Sequence, residues 1–577
     1  MQTTWRVAEP VPEEVRRQFP ELNPIVLQLL WNRNLRTQAT MDEFVQPDWG
    51  KDIHDPFLFR DMQKAVDRIL QAIAKKERII VHGDYDADGV CSAAVLTTTL
   101  SALGADVDVY LPHREREGYG LNLQTIEHLK KNHAAQLIIT CDCGTSNAAE
   151  VARAHELGMD VIITDHHHAP AVMPKPYAII NPQLPDCGYP FPHLAGSGVA
   201  FKVAQALLRK CGQKILNGLS IEGFEKWLLD FVAISTITDF MPLIGENRTL
   251  VKFGLVVLRK SPRPGLRAMA EVSSMKQENI DTTTIGFQIG PRLNAAGRMD
   301  HASTAYRLLV APDASEATAL AIALNTSNAE RQKLTETILR EAKQSIGEVT
   351  SSKRMLIAKG DQWPVGILGL VAGKLADAYH RPVLVMSAHG EEFVGSGRSI
   401  PQFHITEALL RHKELLVRYG GHAGACGFTL RVDAVDTFIQ AMEQDTSERV
   451  TEADLEKDIR IDADIPLQHV DWELFDVMDQ FEPFGEGNPK PVFATRHMTI
   501  TDLQPVGKEG KHLRIHVNHV VPEVRKFIAF GAGLTWGKDL TVGDKVDIAY
   551  TVDKNEWNGT RELQLKVVDL HRHNLDV

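Results

Sequence analysis

The sequence predicts an α/β protein: a doubly wound parallel-sheet domain, a second α/β domain joined to it by a long helix, and a small C-terminal β-barrel. Three observations lead there. Between residues 77 and 181 short apolar runs alternate with helical patterns, the rhythm of parallel strands linked by crossover helices. Residues 314–346 form one long, charged, alanine-rich helical pattern. After residue 458 helical periodicity gives way to alternating segments of strand length.

In chain order, residues 1–60 read as an N-terminal helical extension and 61–245 as the first domain. Its strands are expected at 79–81, 107–111, 137–140, 161–164 and 178–180, with helices at 89–102, 121–131 and 146–157. Residues 227–239 are a mostly apolar helix ending in Thr236-Ile237-Thr238-Asp239. Residues 246–350 form a helical connector, and 351–453 the second α/β domain, which contains the buried-strand run 383–386. Residues 454–577 form the β-domain, with strands at 512–517, 527–530, 546–552 and 563–568.

Bulk properties narrow the function. Net charge is −12, from 63 basic and 75 acidic side chains, which argues against indiscriminate adhesion to duplex DNA or anionic lipid. A nucleic-acid substrate stays open if arginines converge on one groove. No window approaches the ~20 apolar residues of a membrane span, and residues 1–20 lack a signal-peptide core, so a cytoplasmic protein with no membrane association is expected. The six cysteines form no CxxC pair and are expected to be reduced.

Chemistry concentrates where strands end. Residues 82–88 pack His82, Asp84, Asp86 and Asp88 directly behind an apolar run, and carboxylates this crowded resist burial unless a cation neutralises them. Asp142 and the cluster Asp165-His166-His167 follow two further strands. In a doubly wound sheet such positions converge beyond the carboxyl edge. Several carboxylates with imidazoles and no required thiolate suit two Mg2+ or Mn2+ ions better than a closed zinc site. Cys141 and Cys143 read as packing residues, placed by strand alternation on the face opposite Asp142. Paired ions of this kind imply hydrolysis of a phosphorus–oxygen bond.

These residues resemble the successive motifs of the DHH phosphoesterases, and Asp165-His166-His167 resembles the triplet that names the family. Ser235-Thr236-Ile237-Thr238-Asp239 is similar to its final metal motif, and residues 420–427 to the glycine-rich motif of the accompanying DHHA1 domain. Residues 112–120, 291–298 and 484–489 extend the likeness to nearly the whole chain, with no departure at a metal position. Together with the terminal β-domain, it points to the family's single-strand-specific 5′→3′ DNA exonucleases, which act in recombination and repair. It also implies a DHH domain, a DHHA1 domain and an OB-like barrel.

The resemblance further implies that His82, Asp86 and Asp142 hold one ion, and that Asp88, Asp142, His166 and Asp239 hold the other, with Asp142 as bridge. Asp84 and Asp165 then orient ligands, although the crowded first motif allows more than one ligand register. His167 is expected to touch the scissile phosphate and Arg298 to steady it, behind small residues that permit close approach. Asn294, in the same motif, is expected at the substrate. Ser396 and Arg398, in a glycine-rich anion nest, would grip the 5′-terminal phosphate with Arg114.

Tyr119 would stack on a base or narrow the entrance, and His422 would contact phosphate or sugar. In the barrel, Phe527, Phe530, Trp536, Tyr550 and Trp557 lie among Lys511, Arg514, Lys526 and Lys538, a mix suited to single-strand stacking. A monomer is expected, working beside a single-strand-binding protein and a helicase. Two rivals remain: a phosphodiesterase for small phosphorylated molecules, which would need neither barrel nor end-binding motif, and an inactive single-strand binder, which would not need so costly a charge cluster.

Overall fold

The computed structural model describes residues 3–350, 352–519, 525–557 and 560–573, apart from the side chains of Leu534, Trp557 and Thr560. The chain divides into two compact units, Asp48–Leu455 and a composite of Met1–Pro47 with Glu456–Val577.

The larger unit begins with five parallel strands, Ile79–His82, Val107–Tyr110, Leu137–Cys141, Asp160–Thr164 and Ala178–Ile180, each within a residue or two of expectation. Their spatial order is second, first, third, fourth, fifth. The direction of winding therefore reverses between Ile79–His82 and Leu137–Cys141, the place where a ligand crevice opens in such sheets. Helices cover both faces, and the side-chain period of two sorts the residues. Ile79, Val81, Leu137, Ile139 and Ile162 share one core with the helices Ala87–Ala102 and Gly196–Lys210. Ile80, Ile138, Val161 and Ile163 share another with Leu123–His133 and Ala148–Glu156. Truncating a buried residue here, such as Ile139→Ala, costs roughly 2–5 kcal/mol.

The helix expected over 227–239 is Leu229–Thr238, and a separate helix that was not anticipated, Ile221–Trp227, precedes it. They part at Leu228, whose N–H bonds the carbonyl of Glu225 only three residues back. The long helix Ala314–Ile346 forms as expected, about 50 Å of it at ~1.5 Å per residue. Its role as connector has a packing basis. Ala317, Ala321 and Leu324 lie in the core of the parallel-sheet lobe, whereas Ile338, Ala342 and Ile346 lie in a core with Leu356, Ile367 and Val383.

That second core belongs to a five-stranded sheet ordered Arg418–His422, Ala425–Arg431, Glu392–Arg398, Val383–His389, Leu356–Asp361. Its last pair alone is parallel.

In the smaller unit, strands Phe493–Val506, His512–Asn518, Arg525–Ala529, Thr560–Arg572 and Lys545–Trp557 pair in that order, and the last returns to the first. The Arg525–Ala529 and Thr560–Arg572 strands pair in parallel and the other neighbours are antiparallel, so five strands close into an OB-type barrel. Phe493–Val506 escaped the sequence reading because a register shift between Thr495 and Met498 breaks its alternation. Residues 1–47 belong with this barrel. Val26, Leu27, Leu29 and Leu30 of helix Pro24–Asn32 share a core with Leu474, Phe493 and Phe527. Helix Trp472–Asp479 joins that core and was also not anticipated.

Two barrel aromatics expected to face nucleic acid do not. Phe527 and Tyr550 are fully buried, packed edge to face 5.1 Å apart in the core. An inward position in a small barrel is filled by the largest side chain that fits, which here overrides the attraction of an aromatic for a base. Trp536 packs partly buried against the same core, Phe530 is exposed, and the side chain of Trp557 lies outside the described residues.

Candidate metal centre

The centre is built on the strand ends beside the switch point. His82 ends the first strand, fully buried, with its ring stacked on Tyr110 and its Nδ1 3.7 Å from Cys143 Sγ. Burial pushes its pKa down to about 4, so the imidazole is neutral and Nε2 has a lone pair to offer. The chain then turns into helix Ala87–Ala102. Asp86 caps it, its Oδ1 accepting from the N–H groups of Asp88 and Gly89 at 2.9 and 3.1 Å. Asp88, in the first turn, accepts from the N–H groups of Gly196 and Ser197 at 2.7 and 2.8 Å, at the N-terminus of helix Gly196–Lys210.

Asp142 follows the third strand with φ of +61°. An aspartate in the left-handed region is strained, and Thr140 holds the turn by donating its hydroxyl to the carbonyl of Cys143 at 2.7 Å. The expectation that alternation along a strand directs Asp142 is therefore corrected. The strand stops at Cys141, and the left-handed turn aims the carboxylate; Cys141 and Cys143 are buried, as expected of packing residues. Gly196 is needed opposite, because a Cβ there would lie 2.7 Å from Asp142 Cβ. Gly196→Ala is expected to displace the carboxylate and weaken Mn2+ binding roughly 10- to 100-fold in a calorimetric titration, with the circular dichroism spectrum unchanged.

His166 Nε2 lies 3.0 Å from Asp142, 3.6 Å from Asp88 and 3.6 Å from Asp239, which follows helix Leu229–Thr238. Asp84, Asp86 and Asp142 form one group of potential ligand atoms, and Asp88, His166 and Asp239 a second. Asp142 also groups with His166 and His167 and so links the two sets. Burial, together with charge on neighbouring carboxylates, holds Asp84, Asp142 and Asp239 well above the usual carboxylate range and raises Asp86. Four acids this close do not ionise together without positive charge among them. His82 Nε2, Asp84 Oδ1 and Asp239 Oδ2 are buried with no hydrogen-bond partner. Unpaired buried donor atoms around a carboxylate cluster fit divalent cations. The first set differs from expectation in two respects: Asp84, expected to orient ligands, stands as close to Asp86 and Asp142 as a ligand would, and His82, expected as a ligand, is not in that group, although its Nε2 is buried and unpaired.

Asp165, expected to orient ligands, is hydrogen-bonded to its neighbours. Burial raises its pKa, but bonds from His167 Nδ1 at 2.8 Å and the Thr145 N–H at 2.9 Å carry it well below the usual range. His167, half exposed, is shifted the other way: burial lowers its pKa, Asp165 outweighs that, and the net shift is upward. Tyr119 donates its hydroxyl to the carbonyl of Asp142 at 3.0 Å and lies 2.9 Å from His167 Nδ1, so it braces the centre while its ring stays part exposed. Asn181, not singled out from sequence, donates to the His167 carbonyl at 2.9 Å. Nothing in its local sequence marks it.

Asn294 accepts from the Ala87 N–H at 2.7 Å, which ties helix Gly290–Met299 to the first motif. Its amide oxygen is thus engaged with backbone rather than open to substrate. Gly297 lets the Tyr85 carbonyl approach to where a Cβ would stand 2.2 Å away. Arg298 follows, part-buried, donating to the Gly366 carbonyl at 2.9 Å, with its pKa lowered by desolvation and by Arg114 to about 9, still cationic at neutral pH. Arg298, Arg114, Ser396 and Arg398 line one cavity of about 320 Å³, together with Arg418 and Tyr419, which the sequence reading missed although they adjoin the glycine-rich motif. His422 lies on the edge strand Arg418–His422, with its pKa lowered by burial and by Arg398. It does not line the cavity.

Family models match as the DHH family N-terminal domain over residues 78–236, the DHHA1 domain over 352–448, and the RecJ OB domain over 461–569. The single-stranded-DNA-specific exonuclease RecJ of Bacillus subtilis is 34% identical over 569 residues, covering 98% of this chain and 70% of that protein. The protein of the same name from Escherichia coli is 32% identical, covering 94% and 95%. The crystal structure of Thermus thermophilus RecJ in complex with Mn2+ superposes with a TM-score of 0.83 at 30% identity, over 99% of this chain and 80% of that one. A Mg2+ complex of that protein matches with a TM-score of 0.77.

Proposed function

Because the chain belongs to the RecJ family of single-stranded-DNA-specific exonucleases, we propose that it removes 5′-mononucleotides stepwise from single-stranded DNA by metal-assisted phosphodiester hydrolysis. The observation that carries this reading is the pair of buried ligand sets joined at Asp142, in the same unit as an arginine-lined cavity. One set is Asp84, Asp86 and Asp142, to which His82 is assigned through its unpaired Nε2, and the other is Asp88, His166 and Asp239, which Asp142 joins through His166. Mn2+ or Mg2+ held by these residues would activate water for attack and offset charge on the reacting phosphate.

The remaining residues act on position and protons. His167 keeps the Nδ1 proton towards Asp165, and when the ring is protonated its Nε2–H donates to a phosphate oxygen. Asp165 fixes that ring orientation, and Tyr119 and Asn181 hold the backbone on either side. Arg298 steadies the scissile phosphate. Ser396, Arg398 and Arg114 anchor the terminal phosphate in the cavity, which sets polarity by placing the next phosphodiester at the metal ligands. The barrel binds single strand through the exposed Phe530. In this reading the enzyme is a cytoplasmic monomer that serves recombination and repair beside a single-strand-binding protein and a helicase. Among the described residues no helix is long and apolar enough to cross a membrane.

The direct test is nucleotide release from 5′-phosphorylated single strands with Mn2+, beside a blunt duplex and a panel of pyrophosphate and dinucleotides. Release from the strand alone supports the reading; turnover confined to the small molecules overturns it. Arg398→Ala is expected to lose roughly tenfold in preference for a phosphorylated over a hydroxyl 5′ end while Mn2+ binding stays unchanged. Equal preference in variant and parent removes the anchor.

A further inference from the structure

Among the described residues, two of the most exposed large apolar side chains lie on segments that meet just before the last metal-ligand candidate. Phe240, directly after Asp239, is 78% exposed, and so is Phe287. Both sit on backbone that is costly to keep. Helix Leu229–Thr238 ends in a left-handed turn closed by the Met241 N–H on the Thr236 carbonyl, and Phe240 occupies the left-handed position at φ +55°. Glycine is usual there, and a large L-residue is strained. Burial does not offset that strain, because the ring stands in solvent.

Phe287 lies in a π-helical turn, Ile285–Ile289, that leads into the helix carrying Asn294 and Arg298. Such turns are rare and concentrate at functional sites. The two segments touch: a Cβ on Gly290 would lie 2.4 Å from Thr238 Cγ2, and one on Gly286 would lie 4.0 Å from Ile237 Cγ2. Each phenylalanine thus projects from one side of a contact that borders the metal centre, and neither is needed for the packing beneath it.

We infer that Phe240 and Phe287 form a stacking platform for bases of the single strand next to the scissile phosphate. The inference rests on the exonuclease reading above and adds to it a contact with bases. Strain held at a solvent-facing aromatic beside a catalytic centre is explained by an occupant that is absent from the free protein. The flat faces of unpaired bases supply one, irrespective of sequence. A base pair would hide those faces, so the platform also favours single strands over duplex.

The test uses the full chain with Mn2+ and a 5′-phosphorylated oligodeoxynucleotide carrying one abasic residue at each of the first several positions in turn. On the normal strand, Phe287→Ala and Phe240→Ala are expected to raise KM roughly tenfold with little change in kcat, and Phe287→Tyr to restore the parent value. The parent's advantage should vanish when the abasic residue occupies the stacked position. An advantage that persists unchanged at every abasic position, or variants equal to the parent on the normal strand, would overturn the platform. A parent that releases no nucleotide would instead overturn the exonuclease reading, and the platform with it.

Discussion

Asp142→Asn is expected to lower nucleotide release from single strands by roughly a thousandfold or more, the largest single effect of any substitution considered. Asp142 is the residue whose carboxylate groups both with Asp84 and Asp86 and with His166, so its loss opens both ligand sets together. The fold has no need of it. The side chain brings buried negative charge close to Asp84, Asp86, Asp88 and Asp239, and a neutral amide removes that repulsion. Circular dichroism should therefore match the parent, with a melting temperature in chelator that is no lower. Unchanged release would remove Asp142 from the centre, and with it the bridge between the two ligand sets.

Chelation is expected to have the next largest effect, on stability. The parent protein in EDTA should melt several degrees below the same protein in excess Mn2+, because ligands that bind only the folded state stabilise it by mass action, by about 4 kcal/mol per site at a thousandfold excess over Kd. His82, Asp84 and Asp239 bear directly on this, since each has a buried atom without a hydrogen-bond partner and the cation would take that place. The shift should shrink markedly in Asp142→Asn. Identical melting curves with EDTA and Mn2+ in the parent would mean that these atoms are not ligands. A shift of equal size in the variant would move the ions elsewhere.

Much of this was legible from local pattern. The runs at 79–81, 137–140 and 161–164 are strands because apolar residues of strand length followed by polar clusters have few other uses, and the helix over 314–346 ends where its pattern ends. The residues of the centre were legible for the same reason, because crowded carboxylates behind an apolar strand are unexplained by stability. What escaped was non-local or broke the period. Phe493–Val506 carries a bulge, Asn294 proved to brace backbone, and Arg418 and Tyr419 reach the cavity only through the pairing of Arg418–His422 with Ala425–Arg431.

The sequence by itself determined the fold class, the family and the chemical identity of the ligands, because these depend on periodicity and on which residue types stand together along the chain. Tertiary structure alone decided that Asp142 aims its carboxylate through a left-handed turn and that Gly196 leaves room for it. It decided that Tyr550 is core, and that Phe240 stands in solvent beside a candidate ligand. Those outcomes depend on which strands become neighbours and which helix packs across them, a matter of contacts between residues far apart in sequence that no local pattern encodes.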